Sequence, residues 1–154
     1  MKKVLVSACL LGQPVRYDGR DKRVDSGVLA RWVAEGRVVP VCPEVAGGLP
    51  VPRPPAERQP DGRILDAHGR DVTAAFDAGA AHAVALARQH GITVAVLKEG
   101  SPSCGASLVG DGTFTGTKVS GQGATAAALR AIGVRVFSDL EIDRADTALD
   151  GCFP

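Results

Sequence analysis

Four short apolar runs, separated by stretches with helical spacing, constrain the fold more than any other feature of the chain. Val4-Leu5-Val6 is a buried-strand run that ends at Ser7-Ala8-Cys9. Val38-Val39-Pro40-Val41 is a second, and its proline favours an end or edge position. Residues 92–97 form the clearest strand, and residues 134–137 form the last. Between them, Ser26 can cap a helix that buries Val28, Leu29, Trp32 and Val33 and stops at Gly36. Asp71 can cap a long helix through Gln89, with Val72, Phe76, Ala80, Ala83 and Ala87 at helical spacing and Gly91 as the stop. A third helix spans residues 125–132 and ends at Gly133. Strands alternating with helices imply parallel βαβ units, hence a single-domain α/β fold with an open, mostly parallel, Rossmann-like sheet. Residues 43–62 hold six prolines and read as a long fixed loop, not a helix. A hairpin is expected around Gly110-Asp111-Gly112. The tail over residues 140–154 is predicted to hold at most a short helix.

With 154 residues the chain has the length of one domain. Its formal net charge of +1 argues against a protein that grips nucleic-acid phosphates. Aromatics at 4% are too sparse for a single-strand binder that stacks bases along its surface. No apolar run approaches the roughly 18 residues of a membrane span, and no secretory leader is evident, so the expected location is the cytoplasm. The few aromatics and the lack of an apolar patch predict a monomer or weak homodimer.

Cysteine placement carries the chemistry. Cys9 follows the first strand, Cys42 the second, and Cys104 lies in the loop after the third. Loops at strand C-termini of an open parallel sheet gather at one edge, where ligands bind, so the three thiols are expected to converge. A cytoplasmic protein disfavours disulfides, and no C-x₂₋₄-C pair of the kind structural zinc sites use is present. Three thiolates without a paired fourth suit a [4Fe-4S] cluster with one iron left open. Cys152, two residues from the last position, reads as incidental.

Glu44 stands two residues from Cys42; in a dry pocket its pKa should rise toward neutrality and fit it for proton transfer. Lys98, Ser101 and Ser103 crowd Cys104, offering a cation for an anionic group and hydroxyls to orient a substrate or shuttle a proton. Ser120, Gly121, Gly123 and Thr125 open the third helix as a weak candidate phosphate cradle, and Arg16 and Tyr17 are candidates to line the same edge. The three histidines form no ligand pattern and receive no role. Two other readings stay open: a persulfide carrier using Cys104 activated near a helix start, and a non-catalytic nucleotide- or metal-binding module.

Several motifs in this order resemble one family. They are Ser7-Ala8-Cys9-Leu10-Leu11-Gly12 with Arg16-Tyr17-Asp18-Gly19, and Val41-Cys42-Pro43-Glu44 with Gly47-Gly48-Leu49-Pro50. Pro52-Arg53-Pro54-Pro55-Ala56-Glu57, Gly69-Arg70-Asp71-Val72-Thr73, Lys98 with Ser101-Pro102-Ser103-Cys104-Gly105, and Asp111-Gly112-Thr113-Phe114-Thr115-Gly116 complete the set. Together they resemble the small bacterial thiouracil (thiouridine) desulfidases, over roughly residues 3–138. The resemblance implies a [4Fe-4S] cluster held by Cys9, Cys42 and Cys104, with the fourth iron open to the substrate sulfur. It implies redox-neutral desulfuration of a thiolated pyrimidine base, nucleoside or nucleotide. The sequence does not choose among those three.

Overall fold

The computed structural model describes residues 1–150, so Cys152 lies outside the described residues. Four strands form the main sheet: β1 (Val4–Ser7), β2 (Val38–Val41), β5 (Val94–Leu97) and β8 (Arg135–Ser138), in the order β2-β1-β5-β8. All neighbours are parallel, with Val4 opposite Val38, Val6 opposite Val96 and Val96 opposite Phe137. β2 is therefore an edge strand, the position expected of a strand carrying Pro40.

Side chains alternate across the sheet with period two, and both faces are covered. Val4, Val6, Val94, Val96 and Phe137 pack under α1 (Gly27–Ala34) and α5 (Ile142–Leu149), around the fully buried Trp32. Leu5, Val39, Val41, Ala95, Leu97 and Val136 pack under α3 (Thr73–His90) and α4 (Ala124–Ala131). On that face the helices contribute alanines, Ala83, Ala87 and Ala126, which let them lie close.

Local signals account for the helix ends. The Ser26 hydroxyl accepts the Leu29 N–H at 3.3 Å, and Gly36, at φ 69°, stops α1. α3 starts later than expected: Val72, not Asp71, holds the capping position and makes no side-chain bond, while Asp71 accepts the Thr73 N–H at 2.9 Å just before it. Gly91, at φ 63°, closes the helix. Of the residues expected beneath α1, Val33 is exposed and Val28 only half buried, because the contact face of so short a helix is carried by Leu29 and Trp32.

The proline-rich segment departs from expectation twice. It opens with a single helical turn, α2 (Pro43–Ala46), since proline at the first helical position lacks only an N–H that would have no intrahelical partner. It then pairs β3 (Ala56–Arg58) antiparallel with β4 (Ile64–Asp66). The expected hairpin forms from β6 (Leu108–Gly110) and β7 (Lys118–Ser120). Helix α5 occupies part of the predicted tail and buries Ile142, Ala145 and Leu149, so this stretch belongs to the core. No helix among the described residues is long and apolar enough to cross a membrane.

Candidate active site

The chain leaves β1 through α1 toward β2 on one side, then crosses through α3 to β5 on the other. The C-terminal ends of β1 and β5 thus diverge at the point where strand order reverses, the place where open α/β sheets bind ligands. A cavity of about 870 Å³ opens there, with Cys9, Cys42 and Cys104 in its wall.

Each cysteine is positioned by its own local device. Cys9 sits in a single 3-10 turn, Ala8–Leu11, closed by Gly12 at φ 91°. Its carbonyl accepts the N–H groups of Gly12 (3.2 Å) and Lys22 (2.9 Å), which draws the 12–22 loop over the cavity. Cys42 caps α2 in an extended conformation, as a residue before proline prefers, with Sγ 3.8 Å from the Val15 carbonyl. Cys104 is held by Ser101, whose hydroxyl accepts the N–H groups of Ser103 and Cys104, both at 3.1 Å.

All three thiols are free, and Cys9 and Cys104 are buried. Burial pushes the Cys104 thiol up to about 12, although a hydrogen bond from Ser7 opposes the shift. Burial, with Cys42 nearby, pushes Cys9 up to about 11, while Lys98 and Arg16 pull the other way. Cys42 is raised by the same loss of solvent. Such thiols are neutral in the free protein and suit a partner that takes them as thiolates. Burial moves the Cys104 thiol in the direction opposite to the depressed pKa of an activated nucleophile, the feature a persulfide carrier would need. Among the described residues, no three His, Cys, Asp or Glu side chains close on a single-ion site. An iron–sulfur cluster instead takes one thiolate per iron, so an all-thiol set spread along one wall fits a cluster better than a lone zinc.

Glu44 lines the cavity, but it does not sit in the apolar pocket expected from its position. Arg53 donates to its Oε2 from Nε at 2.9 Å and again from Nη2. Both partners are buried, Arg53 at 5% and Glu44 at 15% side-chain exposure. The paired guanidinium bonds fix the direction of the carboxylate.

Lys98, Ser101 and Ser103 also line the cavity. Lys98 Nζ donates to the Glu99 carbonyl at 2.8 Å, and its backbone N–H is held by the Ser7 hydroxyl at 3.0 Å. The Ser103 hydroxyl is engaged with Thr125 at 2.8 Å, so Ser101 is the hydroxyl better placed to meet a ligand. Arg16 and Tyr17 stand in the wall, with Arg16 over the Tyr17 ring.

The start of α4 behaves differently from expectation. The N–H groups of Gly123, Ala124 and Thr125 already bond the carbonyls of Gly105, Pro102 and Ser103. A Cβ at Gly123 would come within 2.3 Å of the Ser103 carbonyl oxygen, and Thr125 is fully buried. Ser120, Gly121, Gly123 and Thr125 are thus not in the cavity wall; they dock the helix on the Cys104 loop, and the amides of a phosphate cradle are already used.

Sequence reasoning missed three supports. Ser7 bridges β5 to Cys104. Arg53 ties Glu44 to Val15 and Tyr17; an arginine flanked by two prolines was the available signal. Glu99 accepts the N–H groups of Gly100, Ser107 and Leu108. Burial opposes the Glu99 charge, yet these bonds outweigh it and hold the carboxyl below its usual range.

The profile of the 2-thiouracil desulfurase family matches residues 4–141. The uncharacterized protein YbbK of Bacillus subtilis (strain 168) is 39% identical over 149 residues, covering 91% of this chain and 97% of that protein. The solved structure of the [4Fe-4S]-dependent thiouracil desulfidase TudS superposes with a TM-score of 0.95 at 51% identity, covering 97% of this chain and 99% of that one.

Proposed function

The chain belongs to the 2-thiouracil desulfurase family, and from that membership and the site's geometry we propose that it is a [4Fe-4S]-dependent thiouracil desulfidase. The observation that carries this reading is the set of three free thiols, Cys9, Cys42 and Cys104, in one cavity wall at the reversal point of the sheet. Those three residues would hold the cluster. When bound, it supplies an iron without a protein ligand, a Lewis acid able to draw electron density from a thiocarbonyl sulfur.

The rest of the reaction falls to side chains of the chain. Glu44, oriented by Arg53, accepts a proton from the water that adds to the thiocarbonyl carbon. Ser101 already accepts two backbone N–H groups, and its own O–H turns toward the pyrimidine ring to orient it. Lys98 offers its ammonium to negative charge that develops on the substrate. The balance is that of a hydrolysis: thiocarbonyl plus water gives carbonyl plus hydrogen sulfide, with no electron transferred.

Three lysines in the cavity wall, Lys22, Lys98 and Lys118, have no carboxylate within ion-pair distance among the described residues. Their charge favours an anionic substrate, such as a thiouridine monophosphate, over a free base.

The test is protein purified without oxygen, assayed for visible absorbance, iron, acid-labile sulfide and conversion of thiouracil to uracil. About four iron and four sulfide per chain are expected, lost on replacing any one of Cys9, Cys42 or Cys104 by alanine and kept in Cys152→Ala. A colourless protein that resists reconstitution, or a cluster lost in Cys152→Ala, would overturn the ligand assignment. Lys118→Met should raise KM for the monophosphate while leaving KM for thiouracil near its original value; equal effects on both would remove the anionic preference.

A further inference from the structure

Eleven glycines adopt positive φ in this chain, and among the described residues only one other residue does so: Phe114, at φ 59°. A left-handed backbone is strained for a residue with a bulky side chain, and glycine would adopt it freely. Burial does not explain the exception, because Phe114 keeps 37% of its surface exposed. Nor is the turn a loose one. Glu57 Oε1 accepts the N–H of Gly112 at 2.9 Å and that of Phe114 at 3.3 Å. Thr113 bonds Asp111 at 2.5 Å, and the hydroxyls of Thr113, Thr115 and Thr117 are linked in a chain. The tip of the β6–β7 hairpin is thus braced from β3, and the residue it holds in a strained conformation contributes to the cavity wall. Strain kept up by surrounding bonds and directed at a ligand cavity marks a functional residue.

Resting on the desulfidase reading above, we infer that Phe114 is a specificity-determining residue whose ring stacks on the face of the substrate pyrimidine. A flat, polarisable heterocycle is the ligand class an exposed aromatic wall selects. Stacking needs no hydrogen bond from the ring substituents, so it holds thiolated and oxo pyrimidines alike and leaves the choice of sulfur to the opposite wall.

Phe114→Gly separates the ring from the backbone that carries it. The variant relieves the left-handed strain while giving up the covered part of the ring, so its melting transition is recorded first and binding is compared at a temperature where parent and variant are both folded. Uracil, which has no sulfur to lose, is titrated into the cluster-loaded protein and its ring-proton resonances followed. Loss of the stack should weaken its binding about ten-fold in Phe114→Gly and Phe114→Leu, while Phe114→Tyr stays close to the parent. If Phe114→Gly binds uracil as tightly as the parent, which itself converts thiouracil, the stacking role is overturned and the desulfidase reading stands. If the loaded parent fails to convert thiouracil, that reading falls, and this inference with it.

Discussion

Arg53 and Glu44 form a buried ion pair in which two guanidinium nitrogens converge on one carboxylate oxygen. Arg53 also donates to the carbonyls of Val15 (3.0 Å) and Pro50 (3.1 Å), and its backbone N–H reaches the Tyr17 carbonyl at 2.7 Å. One side chain therefore fastens three segments of the cavity wall. Removing one partner of a buried pair strands the other charge, at a cost of about 3–5 kcal/mol. Arg53→Met should lose stability of that order in urea unfolding. Arg53→Lys should recover only part, because an ammonium cannot fork across the same geometry. Arg53→Met combined with Glu44→Gln should cost less than the two changes summed. Strict additivity would mean that the pair is not coupled.

The thiols give the free protein a predictable alkaline weakness. Cys9 titrates at about 11 and Cys104 at about 12, both raised by burial from an ordinary 9.0. Above pH 9 the unfolded chain gives up thiol protons that the native state retains, so the native state is disfavoured as pH rises. The stabilisation is complete below pH 9 and is lost up to about pH 12, with a slope of about 1.4 kcal/mol per pH unit for each thiol. Melting temperatures of cluster-free protein should fall across this window, and Cys9→Ser and Cys104→Ser should each flatten the fall. Identical slopes in parent and variants would contradict the burial argument.

The turn that carries Cys42 and Glu44 is seated on α3 by two glycines. A Cβ at Gly79 would lie 2.0 Å from the Pro43 carbonyl oxygen, and one at Gly47 would lie 2.0 Å from that of Ala75. No side chain fits either approach without moving backbone. Gly79→Ala should therefore destabilise by about 1–3 kcal/mol, as overpacking does. Because Pro43 lies between the thiol and the carboxylate, the same displacement should lower cluster content measured as iron per chain. A variant that unfolds more easily but loads iron fully would show that α2 can shift without moving Cys42.

The parallel sheet was legible because its buried strands are short continuous apolar runs and because glycines follow α1, α3 and α4. The converging cysteines followed from topology: residues after β1, β2 and β5 must meet at one edge whatever their separation in sequence. What stayed hidden has short local signals and distant partners. β3 is three half-buried residues with no alternation to read, and its role in bracing Phe114 is visible only once Glu57 is seen against the hairpin tip. The start of α4 looked like a phosphate cradle because its composition is right, but composition cannot show that its amides already face the carbonyls of the Cys104 loop.

Helix α5 lies wholly beyond the end of the family match, yet it completes one face of the core. Its link to α1 is Asp146, which accepts the Trp32 indole N–H at 3.0 Å and an Arg31 N–H at 2.5 Å. Trp32 is fully buried, so its N–H has no water to fall back on, whereas Arg31 is exposed and its pair contributes little. The carboxylate charge should then matter less than its acceptor oxygen. Asp146→Asn, which keeps a carbonyl oxygen for Trp32, should cost little, and Asp146→Ala should cost about 1–3 kcal/mol for the unpaired indole donor. Urea unfolding of the two variants decides the point: equal losses would mean that the ion pair with Arg31, not the buried hydrogen bond, ties α5 to the sheet.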